Sequence, residues 1–384
     1  LKEYRDISFR EMPMTEVDSL ALCQLSYLKF DGLVPEVHEN LPSVTLATLK
    51  KNPEFDKLFA DVRYEEVNRA LVDAMLSGKR YRNLKLNCYV NMVEKESEMQ
   101  FSAITYILND GTVYIAFRGT DETIIGWKED FNMAFCAPVP GQEYSVGYLN
   151  TVAERIHSPF YVGGHSKGGN LAVYSAMNCR PDIQERIIRV FSMDGPGFRP
   201  EVLKAGNYDV IADRVTKILP HSSLVGMLFE SDMHFQVVES KTFGLMQHDP
   251  YTWLVEGDHL KHVDDIYESR KQMDNTLNTW ILSLDEKQLR VFVDTLFQVI
   301  SASQVDNLID FTAEWRQSMN RIIAALKGLD PDTTKALKAV VKALFDIAGN
   351  RMKAGIAQNT QNVIAGTKGL MKQGKPKRSA RKAQ

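Results

Sequence analysis

Residues 160–176 read FYVGGHSKGGNLAVYSA, a serine flanked by glycines between an apolar run and a helical pattern. Residues 160–164 predict a strand and residues 168–178 a helix, and Gly164-His165-Ser166-Lys167-Gly168 joins the two. A serine between strand and helix sits on a sharp turn that lifts its hydroxyl clear of the sheet, and the flanking glycines avoid Cβ clashes there. The helix start adds partial positive charge nearby. The spacing therefore predicts an activated hydroxyl at Ser166.

The segments around this turn alternate between strand and helix patterns. Runs rich in β-branched and aromatic residues predict strands at 86–93, 98–108, 112–117, 186–193, 214–219 and 234–240. Asn109-Asp110-Gly111 predicts a hairpin turn between the second and third of them. Helix patterns at 168–178 and 200–205 separate the later strands. An antiparallel entry followed by strand–helix–strand units predicts an α/β protein with a mostly parallel central sheet.

The sequence predicts helices before and after this region of alternating strands and helices. Apolar spacing predicts helices over 14–29 and 56–78, and the capping-box pattern Ser283-Leu284-Asp285-Glu286 opens further helices downstream. We expect four parts: a helical N-terminal segment packed on the core, the α/β core, a helical C-terminal extension and a basic, disordered tail, over residues 1–85, 86–262, 263–372 and 373–384.

Composition narrows the class of protein. Hydrophobic residues make up 44% and charged residues 25%, the balance of a globular chain with a sizeable core. No apolar run approaches the length of roughly 18–20 residues that a membrane span needs. The first residues are charged and predict no secretory signal, and the four cysteines form no CxxC pair. We therefore expect a cytoplasmic protein without disulfides or metal clusters.

Charge is distributed unevenly along the chain. From Lys335 onward there are twelve basic residues and one acidic residue, which leaves 34 basic and 48 acidic residues, a net charge of −14, in the rest. One helical face there carries Leu337, Val341 and Phe345, with lysines away from it. Such a helix can lie on an anionic membrane surface, or it can pack on the acidic body of the protein. Few aromatic residues accompany the basic ones, so nucleic acid is not an expected partner.

Two blocks in this sequence resemble the class 3 (fungal-type) lipases. The first is the serine turn quoted above, and the second is YIAFRGTDETIIGWKEDF at 114–131; SVGYLN at 145–150 resembles the segment between them. The resemblance covers about residues 100–200 and implies an α/β-hydrolase fold. It also implies an oxyanion hole built from the backbone amides of Thr120 and Lys167. Arg118 and Asp130 are expected to form a structural ion pair that holds this loop.

The serine needs an acid and a base, in the chain order Ser, Asp or Glu, His. Asp194 ends the strand after the nucleophile strand, and this position resembles that of the acid in pancreatic-type lipases. Asp209 and Glu230 are the alternatives. Class 3 lipases place their acid one strand later, where ILPHSSLVGM at 218–227 offers no carboxylate. The departure puts a strict class 3 assignment in doubt.

For the base, the histidines after Asp194 are His221, His234, His248, His259 and His262. We favour His248 because its loop follows the last predicted strand and its His-x-x-Tyr run resembles the base region of lipases. His221 lies too close to the preceding strand, and His165 is interpreted as a scaffold residue.

Together these residues predict a serine ester hydrolase of the lipase or esterase type, with a small-molecule or lipid acyl ester as substrate and no cofactor or metal. The apolar segment 135–140 can cover an acyl pocket or pack as core. A thioesterase or an acyltransferase would use the same triad and differ only in the acyl acceptor. A non-catalytic scaffold that binds a partner through the C-terminal helices is the third alternative.

Overall fold

The strand patterns of the sequence come together in one large sheet. A computed structural model describes residues 1–60, 62, 64–94, 99–120, 133, 138–221, 223, 225–227, 233–242 and 244–264. All of them lie in the first of two units into which the chain divides, Leu1–Ser301. The predictions for Asp130, for Glu230, for segment 135–137 and for everything after residue 264 concern residues outside the described part.

The strands of the described residues are β1 Val44–Thr45, β2 Lys85–Glu94, β3 Met99–Ile107, β4 Val113–Phe117, β5 Phe160–His165, β6 Ile187–Met193, β7 Val215–Pro220, β8 Phe235–Val238, β9 Val255–Glu256, β10 His259–Leu260 and β11 His262–Val263. Nine of them form one sheet in the order β1-β2-β3-β4-β5-β6-β7-β8-β11, and β9 and β10 form a separate hairpin. Strands β4 to β8 are parallel, while β1, β2, β3 and β11 pair antiparallel with their neighbours. An antiparallel entry into a parallel sheet with covering helices is the α/β-hydrolase fold, so the fold-class prediction is confirmed.

Helices cover both faces of this sheet. The α-helices are α1 Glu16–Leu25, α2 Leu46–Leu49, α3 Glu65–Leu76, α4 Lys79–Arg82, α5 Pro140–Arg155, α6 Lys167–Asn178, α7 Pro181–Gln184, α8 Pro200–Ala205 and α9 Tyr208–Ile211. Short 3-10 helices span Phe55–Phe59, Ala212–Arg214, Gly244–His248 and Pro250–Thr252. The apolar residues of α1 and α3 pack in one core cluster, and those of α5 and α6 pack in a second. Because strand side chains alternate between faces, β5 contributes Tyr161 to the first cluster and Val162 to the second.

A buried ion pair joins α1 to α4 within the N-terminal segment. The carboxylate of Asp18 in α1 accepts hydrogen bonds from Arg80, at 3.0 and 2.5 Å, and from the hydroxyl of Tyr81. Arg80 also donates to the main-chain oxygens of Ile7, Met12 and Pro13. Both charged side chains are fully buried, so removing either one would leave an uncompensated charge in the core. The first thirteen residues are thereby held against α1 and α4.

Two sequence predictions differ from the structure. The single helix expected over 56–78 is a 3-10 helix followed by α3, because Ala60 is extended and Tyr64 adopts a left-handed conformation with φ of 60°. The last strand predicted from the sequence, at 234–240, is not the edge of the sheet, because β11 pairs on the outer edge of β8, with His262 opposite Val238. Alternation over two residues is too short to predict a strand, which is why β11 was missed.

Candidate active site

Ser166 lies on the turn between β5 and α6, defined here as the serine turn, residues 164–168. Its backbone has φ 59° and ψ −131°, a conformation that costs free energy for any residue with a Cβ. Neighbouring main chain holds it there: Ser166 N–H donates to Met193 oxygen at 2.9 Å, and Gly169 N–H donates to Ser166 oxygen at 2.9 Å. The structure therefore has the strand–turn–helix geometry predicted from residues 160–176.

The glycines of the serine turn are required by close approach. A Cβ on Gly164 would lie 2.2 Å from the carbonyl carbon of Gly168, and a Cβ on Gly168 would lie 2.1 Å from the carbonyl oxygen of Phe117. Neither contact involves a side chain that can move aside. Only glycine lets α6 start this close to β4 and β5.

His248 faces the hydroxyl of Ser166. Its Nε2 lies 2.9 Å from Ser166 Oγ, and its Nδ1 lies 2.6 Å from Asp194 Oδ2. Since a carboxylate only accepts hydrogen bonds, Nδ1 carries the proton and Nε2 accepts from the serine hydroxyl. This tautomer is the one that a general base needs.

Asp194 directly follows β6, and its carboxylate is fully buried. Its φ is 50°, and its N–H donates to the main-chain oxygen of Ile218 at 2.8 Å. Oδ1, on the side away from His248, accepts from Ser223 Oγ at 2.5 Å and from Gly226 N–H at 3.2 Å. These donors compensate the cost of burying the charge.

His248 ends a 3-10 helix, and we call residues 244–253 the histidine turn. One contact within the turn and two with distant parts of the chain hold it. The indole Nε1 of Trp253 donates to Gln247 oxygen at 2.7 Å, and the hydroxyl of Tyr251 donates to Asn68 Oδ1 at 2.7 Å. The side-chain amide of Gln247 lies 2.8 Å from His221 Nε2.

His165 and Tyr27 complete the support of the base. His165 Nε2 lies 2.8 Å from the main-chain oxygen of His248 and must donate to it, so its Nδ1 accepts from the hydroxyl of Tyr27 at 2.9 Å. The rings of His165 and His248 lie 4.6 Å apart between centroids. His165 was interpreted only as scaffold, and sequence reasoning missed Tyr27 altogether.

The alternative acids and bases lie elsewhere. Asp209 is exposed on α9, and Glu230 lies outside the described residues. His234, His259 and His262 are exposed, and the last two pair with Asp258 and Glu16 respectively. His221 is buried, and burial lowers its pKa, which favours the neutral imidazole. Of the candidates that the structure describes, only Asp194 and His248 are brought to Ser166.

The two residues expected to form the oxyanion hole lie on adjoining segments. Lys167 is the first residue of α6, and Thr120 is two residues beyond Arg118. A Cβ on Gly119, which lies between Arg118 and Thr120, would be 2.6 Å from His165 oxygen and 3.1 Å from Ser166 Cβ, so this segment passes directly beside the serine turn. The ammonium of Lys167 is buried and donates to Gln100 of β3, to the main-chain oxygen at 2.6 Å and to Oε1 at 2.9 Å.

Arg118 is also buried, and its Nη2 donates to Asn91 Oδ1 at 3.1 Å. Its expected ion pair with Asp130 involves a residue outside the described part, so that pair stays a prediction.

Cysteines do not compete with Ser166 as nucleophiles in the part of the chain that the structure describes. Cys23, Cys88 and Cys179 are free and buried, and burial raises the pKa of Cys23 and of Cys179 to about 12. A thiol with so high a pKa is protonated and unreactive at neutral pH. Cys136 lies outside the described residues.

Other features of the described residues bear on ligands and membranes. They include no cluster of three His, Cys, Asp or Glu side chains placed to bind a metal. None of their helices is both long and apolar enough to span a membrane.

A cavity of about 630 Å³ lies beside the first residues of β8, bordered by Glu16, Phe235 and His262. It is away from Ser166, so we assign the candidate site by the hydrogen-bonded side chains rather than by this cavity.

Comparisons with known proteins give one matching family model and several similar solved structures. A family model described as Mbeg1-like matches residues 75–298. A search of curated proteins found no significant match. Among solved structures, M37 lipase is 16% identical, with 56% of this chain and 70% of that chain covered and a TM-score of 0.33. The Rhizomucor miehei lipase in its propeptide complex is 16% identical, with 49% and 71% covered and a TM-score of 0.35. Lip2 lipase from Yarrowia lipolytica is 13% identical, with 54% and 80% covered and a TM-score of 0.31.

Proposed function

The chain belongs to the Mbeg1-like family, and we propose that it is a serine hydrolase that cleaves carboxylic esters, with lipid-like acyl esters as substrates. The nucleophile is Ser166, the base is His248 and the acid is Asp194. The backbone amides of Thr120 and Lys167 form the oxyanion hole. No cofactor is required.

One observation carries this proposal. A continuous chain of hydrogen bonds runs from Ser166 Oγ through His248 to Asp194, with donor–acceptor distances of 2.9 and 2.6 Å. Each of the three side chains comes from a different part of the sequence, and two of them sit on backbone with positive φ. Strained backbone persists where the surrounding structure fixes it, and it clusters at reactive sites. This alignment favours a catalytic role over a non-catalytic scaffold.

The proposed reaction follows from the positions of the protons. His248 Nε2 takes the proton of Ser166 Oγ as the oxygen attacks the ester carbonyl. The imidazolium that forms is stabilised by the carboxylate of Asp194, which keeps its negative charge throughout. His248 then gives the proton to the departing alcohol, leaving an acyl group on Ser166. Water, activated by the same imidazole, releases the acid.

The oxyanion forms beside the start of α6, where partial positive charge and main-chain N–H groups are concentrated. Removing one such donor typically slows turnover about 10²- to 10³-fold. The oxyanion hole is therefore expected to contribute strongly to the rate of ester cleavage. Both proposed donors are backbone amides, and the identities of the side chains at positions 120 and 167 are therefore not decisive for this role.

Turnover of p-nitrophenyl esters of increasing acyl length tests the reaction and its substrate class. We expect hydrolysis that is lost in Ser166→Ala, and a preference for longer chains if the substrate is lipid-like. Ser175→Ala is the matched control, because its hydroxyl is also buried but only donates to Ala172 oxygen within α6. Full activity of Ser166→Ala would refute the proposal.

The acyl acceptor separates the related activities. Acyl-coenzyme A offered with and without an alcohol distinguishes an esterase from a thioesterase or an acyltransferase. Faster turnover of the thioester than of the matching oxygen ester would favour a thioesterase. Transfer to the alcohol in preference to water would favour an acyltransferase.

A further inference from the structure

The carboxylate of Asp194 is held from its far side by the connection between β7 and β8. Ser223 Oγ donates to Oδ1 at 2.5 Å, and Gly226 N–H donates to the same oxygen at 3.2 Å. Oδ2 is left to accept from His248 Nδ1 at 2.6 Å. The two oxygens of one carboxylate therefore have separate partners, one set in the β7–β8 connection and one in the histidine turn.

Two described residues of this connection, Ser223 and Gly226, lie against the carboxylate. Gly226 N–H lies 3.0 Å from Ser223 Oγ, and Ser223 N–H donates to Pro220 oxygen at 2.8 Å. A Cβ on Gly226 would lie 2.4 Å from Asp194 Oδ1. Ser223 is 1% exposed and the carboxylate is fully buried, so this hydrogen bond is shielded from bulk water.

The backbone alone does not fix the direction of a carboxylate, because its last torsion is broad. A donor on Oδ1 sets the plane of the group and thereby the direction in which Oδ2 meets His248. It also stabilises the ionised carboxylate, which must stay charged while His248 carries its second proton. Both effects act on turnover rather than on binding of the ester.

We propose that Ser223 is a positioning residue of the active site, acting on His248 through Asp194. The proposal rests on the proposed function of Ser166, His248 and Asp194. It assigns to the β7–β8 connection, which offers no carboxylate of its own between residues 218 and 227, the role of holding the acid that β6 supplies.

Ser223→Ala is expected to lower kcat about 10- to 100-fold. This is the effect of losing one hydrogen bond to a charged group, since each 1.36 kcal/mol changes a rate about tenfold. KM for a short ester should change little, and the acidic limb of the pH–rate profile should move. Ser223→Thr, which keeps a hydroxyl, should recover part of the rate. Ser223→Cys is similar in size and a weaker donor, and serves if the alanine variant does not fold. Ser175→Ala is the control and should match the parent protein.

A double-mutant cycle separates action through Asp194 from a general effect on the loop. In an Asp194→Ala background, which has no carboxylate to position, the Ser223 substitution should change the remaining rate less than about twofold. The same 10- to 100-fold loss in both backgrounds would overturn the proposal, as would an unchanged kcat in Ser223→Ala.

A second readout does not depend on catalysis. In protein labelled with ¹⁵N-histidine, the proton on His248 Nδ1 can be identified by its loss in His248→Gln, and its resonance should shift in Ser223→Ala but not in Ser175→Ala. If the parent protein hydrolyses no ester, the proposed function fails and this resonance decides the role of Ser223 by itself. An unshifted resonance would contradict the proposal.

Discussion

Two turns bring the reactive side chains together, and they are held in different ways. The serine turn is fixed by contacts between main-chain atoms a few residues apart or on adjoining strands, such as Gly168 against Phe117. The histidine turn is fixed by side chains from remote segments: Asn68 holds Tyr251, and Tyr27 supports His165, which holds the carbonyl of His248. Substitutions of the glycines in the serine turn should therefore lower stability, and substitutions of the residues that support the histidine turn should lower turnover.

The largest effect is expected inside the serine turn. Gly168→Ala places a Cβ 2.1 Å from Phe117 oxygen, and we expect it to lower the free energy of unfolding by about 3 kcal/mol or more. Gly147→Ala is the matched control, because its Cβ meets no atom within 4 Å in α5 and should stabilise the helix by up to about 1 kcal/mol. Urea unfolding of the two variants measures the difference. Equal stability would mean that the serine turn is not fixed by close packing.

A smaller effect, on rate, is expected at the histidine turn. Trp253→Phe keeps an aromatic ring in the core but removes the donor to Gln247 oxygen, 2.7 Å away. We expect kcat to fall about tenfold, with a loss of stability of about 1 kcal/mol, because one buried carbonyl loses its partner. Ester turnover and thermal unfolding of the same preparation check both quantities. A variant that is unstable but fully active when folded would show that the indole does not position His248.

The smallest effect is expected from the N-terminal segment. Tyr27→Phe removes the hydroxyl that donates to His165 Nδ1 at 2.9 Å, while His165 keeps its bond to His248. We expect kcat to fall about three- to tenfold, since the contact acts at one remove from the base. Tyr144→Phe, at an exposed tyrosine of α5, is the control. If both variants match the parent protein, the N-terminal segment has no part in positioning the base.

This division explains which features the sequence could predict. The serine turn depends on residues that are neighbours in the chain, so its glycines and its strand–turn–helix order are readable from residues 160–176. Local patterns also predict strands β2 to β8, and the fold class is confirmed. The two-residue strands β1 and β11 are not predicted. The first and last residues of β2, β3, β6 and β7 lie close to those predicted from runs of β-branched and aromatic residues.

The supports of His248 and Asp194 depend on contacts across the fold, and the sequence carries no local sign of them. Tyr27 lies 138 residues before His165. Ser223 lies in a segment, residues 218–227, whose sequence gives no sign that its hydroxyl contacts Asp194. The helix predicted over 56–78 is interrupted between Phe59 and Glu65 for a similar reason. The apolar spacing continues across the interruption, whereas the left-handed conformation of Tyr64 depends on the packing of the folded chain.

Labelling with a fluorophosphonate tests the central claim, that Ser166 is activated by His248 and Asp194, most directly. The adduct is located by peptide mass spectrometry, with and without mild detergent, in the parent protein and in Ser166→Ala and His248→Gln. We predict one covalent adduct, on Ser166, that is absent in Ser166→Ala and forms far more slowly in His248→Gln. An adduct on another residue, an unchanged rate in His248→Gln, or no adduct under either condition would contradict the account.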